Sequence, residues 1–211
     1  MPVEHEYALL GGFNRAKVGR YLALVSAAVS AAGVLLSSGL GAWLEIRGLP
    51  RQWTVWIASL TSAALTWAWL YWVLDNFAWR FAPIGKILGV PNLSGRWAVK
   101  GRTVNPDKTL GDPWKGTLII IQRWDKLRVR LETKQSTSTS VTAAILCESS
   151  VGWRLLYTYR NEPRVGQVDL HPHRGSADIL FSLDRQSGDG EYFNGLGRFS
   201  FGTMQLTKEQ R

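Results

Sequence analysis

The 211-residue chain is poor in the residue types on which most protein chemistry depends, with one cysteine, three histidines and two methionines. Cys147 alone cannot build a disulfide framework or a thiolate zinc site within one copy of the chain, which suits a reducing compartment. Also missing are a Gly-x-Ser-x-Gly elbow, a phosphate loop ending in Gly-Lys-Ser/Thr and a His-Glu-x-x-His pair. Their absence excludes the nucleophile-elbow hydrolases, P-loop nucleotidases and zincins. His171-Pro172-His173 has no neighbouring carboxylate or cysteine cluster to complete a metal shell, and it reads as a surface loop. Asp184 and Asp189 flank a Gln-Ser-Gly turn, where aspartates serve turn geometry. No catalytic residue, metal or cofactor is expected, and the chain is not read as an enzyme.

Charge is missing from two long stretches near the start, Tyr21 to Leu44 and Trp53 to Leu74. At about 1.5 Å per residue these give helices of roughly 33 to 36 Å, enough to cross a hydrocarbon core of about 30 Å. Seven of the eleven tryptophans (Trp43, Trp53, Trp56, Trp67, Trp69, Trp72 and Trp79) lie in or beside these runs, as interfacial anchors do. A cleaved signal peptide fits poorly, because the first run exceeds an h-region and a second follows closely. Arg15, Lys17 and Arg20 precede the first run and Arg80 and Lys86 follow the second, against Arg47 and Arg51 between them. By the positive-inside rule both termini are cytoplasmic. The expected organisation is a cytoplasmic segment over 1–20, transmembrane helices over 21–44 and 53–74, and a short external loop over 45–52. A linker over 75–92 and a cytoplasmic domain over 93–211 complete it.

After Leu88 no helical period appears. Leu127, Val129 and Leu131 alternate with Arg128, Arg130 and Glu132, and Trp153, Leu155, Tyr157 and Tyr159 alternate with Arg154, Leu156, Thr158 and Arg160. Such period-two runs are strands with one apolar face. Turn residues separate about eight of them, near 95–102, 114–122, 126–133, 138–147, 152–160, 175–183, 190–196 and 198–207. Eight short antiparallel strands favour a lipocalin-like up-and-down barrel over a two-sheet sandwich, since closure removes exposed edges. Ala82-Pro83-Ile84-Gly85 and the residues after it, with two prolines and two glycines by Leu93, disfavour helix and read as linker.

Gly95-Arg96-Trp97 on the first strand with Arg198 on the last resembles the Gly-x-Trp and closing-Arg pattern of lipocalin-like barrels. That resemblance implies a structural contact between Trp97 and Arg198, a cation–π pair of about 0.5 to 2 kcal/mol. From Asn92 onward 18 Lys and Arg face 12 Asp and Glu, a net charge of +6 that suits anionic lipid or a phosphorylated ligand. Tyr157 and Tyr159 share one strand face, as do Tyr192 and Asn194, and Arg198 with Ser200. Tyrosines stack on nucleobases and arginines pair with phosphate, so Tyr157, Tyr159, Arg174, Tyr192, Asn194 and Arg198 are the candidate ligand-binding residues. The same tyrosines also make ordinary core residues.

Two spans, a Pro/Gly linker and eight strands, with Leu93-Ser94-Gly95-Arg96-Trp97, His173-Arg174-Gly175-Ser176-Ala177 and Gly190-Glu191-Tyr192-Phe193 leading to Gly197-Arg198, resemble the two-transmembrane β-barrel effectors of bacterial cyclic-oligonucleotide antiphage signalling (CBASS). The resemblance implies that a cognate nucleotidyltransferase makes a cyclic dinucleotide and the cytoplasmic barrel binds it as activating ligand. The proteins then self-associate in the bacterial inner membrane and disrupt the lipid bilayer, so that infected cells stop growing or die. No long nucleic acid is expected as partner. A membrane-tethered lipocalin-like carrier or scaffold for an apolar ligand is the competing expectation.

Overall fold

The computed structural model describes residues 4–47, 62–105, 107–148, 150–166, 171–195 and 200–209. Two compact units divide the chain, residues 13–81 and residues 1–12 with 82–211.

In the first unit, helix α1 spans Arg15–Ile46 and α2 spans Ala63–Asn76, the two packed on each other and followed by one 3-10 turn, Ala78–Arg80. Asn14 caps α1 by accepting from the Ala16 amide at 2.9 Å, and Ser62 accepts from Leu65 at the start of α2. Inside the apolar run Ser26 and Ser37 donate back to the Leu22 and Val34 carbonyls, which satisfies each hydroxyl without a partner element. Over Arg15–Trp43, α1 is long and apolar enough to cross a membrane, by length and composition. Its Leu24, Leu35 and Leu36 side chains stand exposed, unlike those of a soluble core helix. Of the second expected span, residues 53–61 lie outside the described residues and the remainder is α2.

Among the described residues the second unit holds a sheet of nine strands, one more than expected. These are β1 (His5–Leu10), β2 (Gly95–Val104), β3 (Leu110–Gln122), β4 (Lys126–Thr133), β5 (Ser136–Glu148), β6 (Gly152–Pro163), β7 (His173–Phe181), β8 (Ser187–Asn194) and β9 (Phe201–Lys208). From β2 to β9 each strand pairs antiparallel with the next, and β9 returns to β2. The sheet closes into a barrel. The extra strand comes from the segment ahead of the first apolar run, and it sits where β4 and β5 part. There it runs antiparallel to β4 and parallel to β5.

The eight expected strands recur with ends shifted by a few residues, because period-two alternation survives in the fold. On β2, Trp97 and Val99 point inward while Arg96, Ala98, Lys100 and Arg102 point out. Turn chemistry fixes the register. Thr133 accepts from the Gln135 and Ser136 amides at the β4–β5 turn. Asp184 accepts from Ser182 and Gln186 at the β7–β8 turn, which draws its carboxyl below the usual range.

The linker expectation needs one correction: Ala82–Leu88 is a short helix, α3. Pro83 lies in its first turn, where the missing N–H has no intrahelical partner to lose. Gly89 then ends it at φ 64°.

Candidate functional site

Seen along its axis, the barrel interior changes character. One end is apolar, with Trp97, Leu118, Ile120, Leu127, Leu155, Ile179 and Phe181 buried in one cluster and the Trp97 and Phe181 ring centroids 4.7 Å apart. The cation on Trp97 is the Lys208 ammonium, 5.2 Å from the ring centre. Register decides this, because β2 and β9 are antiparallel and Trp97 pairs with Lys208, while Val104 pairs with Phe201. Arg198, expected in that place and also among the ligand-binding candidates, lies outside the described residues.

Toward the other end the interior is aromatic and polar. Tyr157, Tyr159, Tyr192 and Asn194 all point inward there, with the Tyr157 and Tyr159 ring centroids 5.9 Å apart and Tyr159, Tyr192 and Asn194 engaged in hydrogen bonds. Tyr159 donates to Asn194 Oδ1 at 2.8 Å, and Asn194 Nδ2 donates to Ser200 Oγ at 2.9 Å. The Trp114 indole N–H donates to the Tyr192 hydroxyl at 3.1 Å, which also meets Thr103 Oγ1 at 3.1 Å. Asn161 donates to Ser136 and Ser138. His173, expected on a surface loop, is buried at the start of β7 with Nδ1 against the His171 carbonyl. Tyr157 is buried, and desolvation pushes its hydroxyl pKa up.

Close packing of these rings depends on inward glycines. A Cβ on Gly175 would collide with the Tyr159 ring and the Phe193 carbonyl, and one on Gly101 with the Trp114 indole. The missing side chains at these two glycines are what make room for the Tyr159 and Trp114 rings.

Arg174 is not part of this set. It points outward on β7, opposite Arg160 on β6. Two like charges in register are unfavourable unless an anion or a carboxylate answers them. Glu162 approaches Arg160 to 3.8 Å, but both are well exposed, so the pair contributes little.

Next to these arginines the outer wall is concave. A groove of about 790 Å³ crosses β5 to β9 and reaches β2. Two outward rows line it, and between them Ala143, Tyr157, Ala177, Tyr192 and Gly202 complete the lining. One runs Thr142, Thr158, Ser176, Phe193, Phe201 and Val104, and the other Ala144, Leu156, Asp178, Glu191 and Thr203. Phe193 is 59% exposed and Phe201 42%. Large apolar side chains on the solvent face of a strand have nothing to pack on unless something else supplies it. Arg160 and Arg174 occupy the next outward row beyond Thr158 and Ser176. On the opposite side Arg154 holds Asp178, with Nη1 2.9 Å from Oδ2, and also reaches Glu148. Both carboxylates keep its guanidinium charged.

The groove therefore offers two exposed rings, a line of hydroxyls, two carboxylate acceptors and a neighbouring pair of guanidiniums. Sequence reasoning passed over Phe193, Phe201, Thr158 and Ser176. The signal for Phe193 was present, since it shares its strand face with Glu191 and Asp189 rather than with Tyr192. Among the described residues no group of three His, Cys, Asp or Glu side chains is placed to hold a metal ion.

A family model described as Cap15, cyclic dinucleotide receptor domain, matches residues 88–208, which hold the barrel apart from β1. The chain is 42% identical over 204 residues to CD-NTase-associated protein 15 of Yersinia aleksiciae, covering 97% of each chain. The chain belongs to the Cap15 family. A CBASS effector carrying a cyclic dinucleotide receptor domain is what that membership supports. All of the groove lining, Phe193 and Phe201 included, lies within the matched Cap15 segment.

Proposed function

We propose that the outer-wall groove binds a cyclic dinucleotide and that the bound ligand drives the membrane-anchored chains to associate and breach the bilayer. The observation that carries this reading is the open groove itself, built on the receptor segment and within the size range of about 300 to 1,000 Å³ usual for small-molecule sites. Nucleobases stack on Phe193 and Phe201, the phosphates face the Arg160 and Arg174 row, and Asp178 and Glu191 accept from base N–H groups. Tyr157 and Tyr192 belong to the groove lining, while Tyr159 and Asn194 lie outside it and support the wall. No bond is made or broken in this account, so the protein acts as a receptor without enzymatic turnover or cofactor.

The output is the helical unit, with α1 as one span, the run ending in α2 as the other, and both termini cytoplasmic in a bacterial inner membrane. The apolar-carrier alternative is disfavoured by the packed apolar core, which occupies the end of the interior where an apolar ligand would lie.

Calorimetry on the detergent-solubilised full-length chain against cyclic dinucleotides and fatty acids tests the reading. Saturable binding of a cyclic dinucleotide, reduced by Phe193→Ala, is expected. Binding of fatty acid alone overturns it.

A further inference from the structure

The strand β1 has no role in closing the mouth end of the barrel. There β4 and β5 pair directly, Arg130 with Thr139 through Glu132 with Thr137. Beyond that stretch the two strands part, and β1 fills the gap with two residue pairs to β4 and four to β5. The parallel side of this seating is the weaker kind of pairing.

Its partners on β5 are informative. Tyr7 pairs with Ala143 and Ala8 with Ala144, and both alanines line the groove. One turn of pleat earlier, the His5 imidazole meets Ser140 Oγ at 2.7 Å, and the same oxygen accepts from the Val129 amide at 2.9 Å. With His5 Nδ1 donating to the Glu6 carbonyl, Nε2 accepts from the Ser140 hydroxyl, so one serine ties β1, β4 and β5 together. Immediately after Ser140 the β5–β6 register shifts around Val141, which is exposed. A bulge is where a strand bends without breaking its ladder.

At its other end β1 stops at Leu10, and α1 begins at Arg15. Four residues intervene in the chain. Gly11 turns the chain at φ 79°.

We infer that β1 is the transmission strand of the receptor: ligand in the groove draws the Thr142–Ala144 stretch of β5 toward β8 and β9, which unseats β1 and releases the start of α1. This rests on the groove being the ligand site. The coupling is reciprocal, so a seated β1 also holds the groove in its less receptive form. The seat is held mainly by one side chain, Tyr7, which is buried in the core and donates to the Trp124 carbonyl at 3.0 Å, so unseating β1 means withdrawing that ring.

The test uses the full-length chain in phosphatidylethanolamine–phosphatidylglycerol vesicles, with cyclic di-AMP, cyclic di-GMP and their mixed-base analogues as probes. Leu10→Cys with Leu146→Cys, in a Cys147→Ser background, places a bond across register partners on the outer face and outside the groove lining. Oxidised, this protein is expected to bind its best probe about threefold to tenfold more weakly than the reduced form, as reciprocal coupling requires, while dye release at saturating probe falls by about tenfold or more, and reductant restores both. Equal release from oxidised and reduced protein overturns the inference. Hydrogen exchange on the unsubstituted chain reads the same step without disulfide or leakage. Amides 7–10 are expected to exchange about tenfold faster with probe bound, and unchanged protection with probe bound overturns the inference while leaving the receptor reading intact. If no probe binds the unsubstituted chain, the receptor reading falls and the transmission role falls with it.

Discussion

The inner and outer faces of the β5–β9 wall use similar residue types in opposite states. Inside, Tyr159 bonds Asn194, Trp114 bonds Tyr192 and Asn161 bonds Ser136 and Ser138, and inward glycines let the rings lie flat on neighbouring strands. Outside, Phe193 and Phe201 stand beside Thr158, Ser176 and Glu191 with apolar area still exposed. A buried polar group must be satisfied in the folded protein itself, whereas an exposed one can wait for a ligand. Aromatic and hydroxyl content alone does not mark a binding site; what is left open by folding does.

Substitutions should separate the two faces. The largest effect is expected on the inner axis, where Trp97→Ala removes a fully buried ring packed on Phe181 and costs about 3 to 5 kcal/mol, read as a lowered urea midpoint. If stability is unchanged, the closed end is not the core. Next comes the outer face. Replacing both Phe193 and Phe201 by alanine is expected to weaken cyclic dinucleotide binding by about 1 to 3 kcal/mol per stacked base, with stability nearly unaltered. A large loss of stability with intact affinity would reverse the assignment of the faces.

Tyr159→Phe should cost about 1 kcal/mol by stranding Asn194, with affinity held within about twofold. A collapse of affinity here would move the site to the inner mouth. Smallest is Lys208→Met, expected to cost at most about 1 kcal/mol through loss of the cation over Trp97, seen as a small drop in melting temperature.

Much of the barrel is legible along the chain. Leu127, Val129 and Leu131 announce a strand with one buried face because that signal is local, whereas the turn expected at Ser187–Gly190 lies earlier, at Ser182–Ser187, and Asp189 stands inside β8. β1 is different: His5, Tyr7 and Leu9 also alternate with Glu6, Ala8 and Leu10. Six residues are too short a run to stand out, and their pairing partners lie more than a hundred residues away. The helix at Ala82–Leu88 was hidden by reading Pro83 as a breaker when its position in the first turn makes it harmless.

The candidate site was legible only in part. Tyr157, Tyr159, Tyr192 and Asn194 were placed on inward faces by period alone, and they point inward. Arg174 was grouped with them by chemistry, yet strand alternation sets it outside beside Arg160.

The sequence by itself determined the two apolar runs, the all-β segment after them and the inward or outward sense of most side chains, since period and length are properties of neighbouring residues. The tertiary structure alone decided that Lys208 meets Trp97, that β1 fills the gap between β4 and β5, and that the open concavity lies on the outer wall. Each of these depends on register and curvature between strands distant in the chain, which no local pattern encodes.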